Sequence, residues 1–224
     1  MRKASLAGKA KAHAFPVFGK KFPTLGRCHL LRACVDRGGG QNVQSAALMK
    51  NEISIETLRH STAHVMAAAV CRIYDNVKLD IGPSVEDGFY YDFDLPERIT
   101  PEDFEKIEAE MRKIVGEDLP FERIEVSREE AKTMLEGQNY KLERLDDIPD
   151  GEAITFYKCG DFFDLCRGPH VESTGKLRAF KLLNVAGSYY RGKETNPMLQ
   201  RINGTAFTND KQLKLYLKQL EEAK

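Results

Sequence analysis

The sequence predicts an α+β fold, with a mainly antiparallel sheet and packed helices. Three observations carry that reading. Residues 54–75 repeat their apolar side chains at helical spacing, residues 88–95 alternate at strand spacing, and the helices and strands that follow are mixed without a regular βαβ succession. A chain of 224 residues holds one sizeable domain or two small ones, with enough length for a core.

In the first helical segment, Ile55, Leu58, Val65, Met66, Ala69, Val70 and Ile73 make one apolar face. At about 100° per residue, His60, His64, Ala67 and Cys71 fall on the opposite face. No Lys or Glu stands between Arg59 and Arg72, so the helix is apolar or small all round and reads as buried. Strands are expected at Val77–Ile81 and Gly88–Leu95, the second alternating Phe89, Tyr91, Phe93 and Leu95 against Tyr90, Asp92 and Asp94. Thr100 and Pro101 open a second helix as cap and first residue, with Phe104, Ile107, Met111, Ile114 and Val115 as its buried stripe. After a short strand at Phe121–Val126, Ser127 and Glu130 form a capping box for a helix that ends near Gly137. Ala153–Lys158, Phe162–Leu165 and a run from Arg178 to Tyr190 read as further strands, and Asp210–Ala223 as an amphipathic helix with Leu213, Leu217 and Leu220 inward.

The formal charge is zero, yet it is divided unevenly. Residues 1–50 carry ten Lys or Arg and one acid, Asp36, whereas the remainder carries 24 basic and 33 acidic residues. An acidic body argues against a general nucleic-acid surface and for local contact only. Nothing approaches 18 consecutive apolar residues, so no membrane span is expected. The five cysteines, at 28, 34, 71, 159 and 166, are scattered with no CxxC pair, which fits a reducing compartment better than a disulfide framework. Residues 1–50 are basic, poor in acids and interrupted by a triple glycine. They read as an organellar transit segment, as a disordered basic extension, or as sequence upstream of a start at Met49. Cytoplasmic and organellar locations both follow from that choice.

Two short words carry the chemistry. His60 and His64 form H-x-x-x-H on the buried helix, and Cys166 and His170 form C-x-x-x-H in D-L-C-R-G-P-H-V. Histidines at i and i+4 face the same way and can share an ion or a proton path. A zinc protease of the H-E-x-x-H type is excluded because Ser61, not Glu, follows His60. Gly168-Pro169 interrupts any helix, so Cys166 and His170 belong to a turn or loop. The four side chains match a tetrahedral zinc set, and they suit a metal-free hydrolytic pocket equally well. Read separately, each word also suits structural residues. Lys141, between a helix end and a strand, Asp164 beside Cys166, and Tyr91 with Asp92 are further polar candidates. No phosphate-binding glycine loop, serine-nucleophile elbow or paired-carboxylate motif is present.

The words R-H-S-T-A-H at 59–64, I-G-P at 81–83, G-F-Y-Y-D at 88–92, D-L-C-R-G-P-H-V at 164–171 and M-L-Q-R-I-N-G-T-A-F at 198–207 resemble bacterial-type threonyl-tRNA synthetase. The resemblance runs from about Ile53 to Lys224 and covers the family's second additional, editing domain and the linker helix after it. Related editing domains of alanyl-tRNA synthetase and their free-standing homologues share the His and Cys words. The resemblance implies the editing-domain fold and hydrolysis of the ester in mischarged Ser-tRNA(Thr), with the tRNA 3′ end as partner and a threonyl-tRNA synthetase as a second one. It implies that His60 and Lys141 handle the attacking water and its protons, that His64, Cys166 and His170 line the pocket, that Asp164 holds the substrate amine, and that Tyr91 and Asp92 lie near the terminal adenosine or substrate. No cofactor is implied for the threonyl type. Zinc on His60, His64, Cys166 and His170, as in the alanyl type, is the second choice. The implied division is an extension over 1–50, the editing domain over 51–207 and a linker helix over 208–224.

Three departures from the family pattern stand out. Residues 1–50 show no alternation that would build the family's β-grasp domain. The chain reaches Lys224 without the aminoacylation motifs, so no threonyl-tRNA synthesis is expected from it alone. Asn203, expected in the linker, replaces the usual Tyr before G-T-A. A non-catalytic module that binds tRNA or a synthetase is the competing expectation.

Overall fold

A computed structural model describes residues 53–223. The division at residue 50, and whatever residues 1–50 do, therefore lie outside the described residues. Helix α1 (Ile55–Ile73) opens the fold. Ser54 caps it, its hydroxyl accepting from the Thr57 amide at 3.1 Å. From Leu58 to Val70 every residue but His60 is buried, Arg59 included, and from residue 61 on this is what the uncharged span before Arg72 predicts. The helix lies on a five-stranded antiparallel sheet of β1 (Lys78–Leu79), β2 (Ser84–Val85), β3 (Gly88–Asp94), β7 (Ala179–Tyr189) and β8 (Met198–Phe207), ordered β1-β3-β8-β7 with β2 also on β3.

Phe89, Tyr91 and Phe93 of β3 alternate onto the face that packs with α1 and join its core with Met66 and Val70. Helix α2 (Phe104–Glu117) adds Phe104, Ile107, Met111 and Ile114 to the same core. Its expected start is displaced by one turn. Pro101–Asp103 is a 3-10 turn, and the Asp103 carboxylate accepts from both the amide and the hydroxyl of Thr100.

A second sheet, β4 (Glu122–Val126), β5 (Ile154–Cys159) and β6 (Phe162–Leu165), is three-stranded and antiparallel. It packs against α3 (Arg128–Met134) and α4 (Asn139–Asp146) through Ala131, Leu135, Leu145, Ile154 and Phe156. The Ser127–Glu130 capping box forms as expected, with reciprocal bonds of 2.9 and 3.2 Å. Helix α5 (Asp210–Glu222) is the last described element, with Leu213 buried.

Helix α4 and strand β8 depart from the sequence expectation, as does the two-residue strand β2, which the sequence did not mark. Residues 139–146 are helical, so Lys141 sits on α4 rather than in a connection. Gly137, at φ +83°, lies in the turn that follows α3, and the chain re-enters a helix almost at once. Strand β8, which lies between β3 and β7, is masked by Gln200, Arg201, Asn203 and Gly204, residues that break the usual apolar alternation. Gly204 is required there, because a side chain would strike the Phe89 ring at 2.6 Å. Asn203 belongs to this strand, not to a linker, and donates to Asn184 on β7 at 2.7 Å.

Candidate functional site

The two words meet where α1 faces the loop that follows β6. The ligand-type atoms of His60, His64, Cys166 and His170 all lie within 4.8 Å of one another. Cys166 Sγ is 3.3 Å from His60 Nε2 and 3.4 Å from His170 Nε2. The loop that carries Cys166 and His170 bends at Gly168, whose φ of +75° favours glycine, and continues through a cis Gly168-Pro169 bond. A side chain at Gly168 would collide with the Tyr157 ring. The His170 ring is stacked on Phe121, with centroids 4.9 Å apart and planes within 5°. Tyr157 meets the same ring at 4.4 Å.

Beside this cluster lies a buried charged pair. Lys141 Nζ stands 2.6 Å from Asp164 Oδ1, with both side chains at most 5% exposed. The Tyr91 hydroxyl donates to Asp164 Oδ2 at 2.6 Å. His64 Nε2 approaches the same oxygen at 3.7 Å, outside hydrogen-bonding range. Asp164 thereby links β3, α4 and β6. Its place on β6, paired with Tyr157 of β5, turns the side chain inward.

Asp92 is placed differently. It is the neighbour of Tyr91 on β3 and so points to the other face of the strand. There its carboxylate accepts from Arg201 Nε and Nη2, each at 2.7 Å, and the guanidinium lies over the Tyr90 ring at 3.8 Å. Seven of the eight candidate residues therefore converge, and Asp92 stands apart from them.

Burial sets the protonation of the cluster. His60 is lowered from its ordinary pKa by burial, partly offset by a hydrogen bond to the Pro169 backbone and by Asp164. Proline has no N–H, so the His60 ring donates to its carbonyl. His64 is pushed well down by burial and then by His60 and Lys141. His170 is lowered by burial and by the other two imidazoles. Burial and the nearby Asp164 raise the Cys166 thiol to about 12, against the Gly168 amide and Lys141, which oppose the rise. At neutral pH the cluster is three neutral imidazoles and a thiol. Such a thiol is a poor nucleophile, so the arrangement suits activation of water better than attack by sulfur.

The four donors also fit zinc. Bonds of about 2.0–2.3 Å in a tetrahedral site separate a sulfur and a nitrogen ligand by roughly 3.5 Å. The 3.3 and 3.4 Å separations at Cys166 approach that edge length.

Sequence reasoning passed over Ser61, Phe121 and Tyr157. Ser61 Oγ contacts His170 Nδ1 at 3.0 Å and accepts from the Val171 amide at 3.0 Å. These residues meet His170 only through the tertiary fold, so no local spacing announces them. Among the polar ones, the only mark in the sequence is that Ser61 lies inside the first histidine word.

Residues 154–203 match the family described as the threonyl and alanyl tRNA synthetase second additional domain. Over 173 residues it is 59% identical to the threonine–tRNA ligase of Geobacillus sp. (strain WCH70), covering 76% of this chain and 27% of that protein. The corresponding figures are 58% over 179 residues, 78% and 28%, for the threonine–tRNA ligase of Halalkalibacterium halodurans. For that of Clostridioides difficile (strain 630) they are 57% over 171 residues, 75% and 27%. The chain thus spans little more than a quarter of the length of these relatives. Among the described residues, no helix is long and apolar enough to cross a membrane.

Proposed function

We propose that this chain is an aminoacyl-tRNA deacylase that hydrolyses the ester joining serine to the 3′ end of threonine tRNA. The observation that carries the proposal is the juxtaposition of a buried Lys141–Asp164 pair with a neutral His and Cys cluster in a domain akin to threonine–tRNA ligases. A threonine-binding synthetic site cannot strongly exclude serine, which lacks one methyl group, so a second, hydrolytic site has a clear purpose.

In the proposed reaction, a water oxygen attacks the ester carbonyl, and the bond to the 3′ oxygen breaks. His60, half-buried and neutral, accepts the proton of the attacking water. Lys141 carries positive charge beside the reacting carbonyl and helps return the proton to the departing 3′ oxygen. Asp164 receives the substrate ammonium, its position fixed by Tyr91. His64, Cys166 and His170 line the pocket. Tyr91 lies on the substrate side of β3, whereas Asp92 is held by Arg201 and takes no part in this scheme. Were zinc bound, His60, His64, Cys166 and His170 would hold it, and the ion would supply Lewis acidity and a more acidic water. The proposed reaction is metal-free, with the tRNA 3′ end as the partner.

The His60→Ala, Lys141→Ala double variant tests the scheme. It should lose release of serine from Ser-tRNA(Thr) while still binding the tRNA. Full activity in that variant rejects the scheme, and tRNA binding by the wild type without any hydrolysis selects a non-catalytic binding module instead.

A further inference from the structure

We propose that Ser61 is a positioning residue that fixes His170 in the Nδ1–H tautomer and turns its Nε2 lone pair into the pocket. A serine hydroxyl has one proton to donate and two lone pairs to accept with. Ser61 is fully buried and its Oγ has three polar neighbours: the Thr57 carbonyl at 2.8 Å, the Val171 amide at 3.0 Å and His170 Nδ1 at 3.0 Å. The carbonyl can only accept, so it takes the hydroxyl proton. The amide can only donate, so it occupies one lone pair. The second lone pair faces His170 Nδ1, which must carry a proton to satisfy it. The opposite tautomer sets two lone pairs against each other at the fully buried Ser61 oxygen, a mismatch that folded proteins avoid.

With Nδ1 protonated, Nε2 is an acceptor, and it faces Cys166 Sγ at 3.4 Å. Stacking on Phe121 and contact with Tyr157 hold the ring plane, so the hydrogen bond selects the tautomer without having to fix the plane as well. Because Ser61 also binds the Val171 amide, the same oxygen ties the 166–171 loop to α1. The catalytic part of this inference rests on the hydrolytic reading above. There, His170 accepts a hydrogen bond from the pocket and does not donate one.

Long-range proton–nitrogen correlation spectra of the full chain near neutral pH test the assignment, with His170→Gln identifying the His170 signals. In the wild type, His170 should show a protonated Nδ1 and an unprotonated Nε2. In Ser61→Ala the pattern should shift to the Nε2–H form or to a mixture, while the His60 signals keep their pattern. If the chain hydrolyses Ser-tRNA(Thr), the same variant should lose about 10- to 100-fold in kcat, with KM changed by no more than about twofold. A wild-type His170 protonated at Nε2, or an unaltered tautomer in folded Ser61→Ala, overturns the proposal. Should Ser61→Ala not fold, the wild-type spectrum decides alone. An Nδ1–H His170 in a chain that hydrolyses nothing supports the Ser61 assignment and rejects the hydrolytic reading, so the two failures are distinguishable.

Discussion

Replacing Lys141 by methionine removes the ammonium of the buried pair while keeping most of the side-chain volume. Asp164 then keeps the Tyr91 hydroxyl at 2.6 Å but loses its countercharge at 2.6 Å, in a position 3% exposed. His64, 3.7 Å away, cannot compensate without protonating, and burial holds its pKa well down. Removing one member of a buried pair costs about 3–5 kcal/mol, because the remaining charge is left uncompensated. Lys141→Met is therefore expected to lower the unfolding free energy by that amount in urea titrations followed by circular dichroism near pH 7. Adding Asp164→Asn removes the stranded charge and should recover at least about 2 kcal/mol, a coupling within the range of directly interacting residues. A loss below about 1 kcal/mol for Lys141→Met, the range of exposed pairs such as Arg123–Glu125, would refute the reasoning. So would a double variant no more stable than the single.

Two further outcomes follow from the same site. The folded pKa values of His60, His64 and His170 all lie below their ordinary value, so below about pH 6.5 the unfolded chain binds more protons than the folded one. Their contribution to stability is present above about pH 6.5 and is lost as pH falls, by up to about 1.4 kcal/mol per pH unit for each histidine. The urea midpoint should drop between about pH 6.5 and 5, and a flat midpoint across that window would contradict the buried, neutral assignment. The Cys166 thiol, raised to about 12, should alkylate slowly with iodoacetamide at neutral pH and faster as pH climbs toward that value. Peptide mass spectrometry reads the rate at this cysteine, and rapid labelling at neutral pH would show a thiolate that the burial does not allow.

Much of the fold was legible because it rests on local periodicity. The uncharged span between Arg59 and Arg72 announced a buried helix, and the alternation of Phe89, Tyr91 and Phe93 announced the strand facing it. Strand β8 was not legible, since its polar and glycine positions acquire meaning only from the strands on either side. Helix α4 was hidden because, unlike the shorter α3, it has no side-chain cap to mark its start, and with it was hidden the route by which Lys141 reaches Asp164. The convergence of the two histidine words was readable from residue type, whereas the separation of Asp92 from Tyr91 follows from strand geometry that the sequence already contained. Ser61 escaped because its neighbours outside its own helix turn, His170 and Val171, lie more than a hundred residues away.

The central claim is tested most directly by following serine release from Ser-tRNA(Thr) alongside threonine release from Thr-tRNA(Thr), with the full chain and a chelator present. Selective release of serine that persists through chelation is the predicted result. Ser-tRNA(Thr) left intact at micromolar protein, whether or not zinc is supplied, would contradict the account.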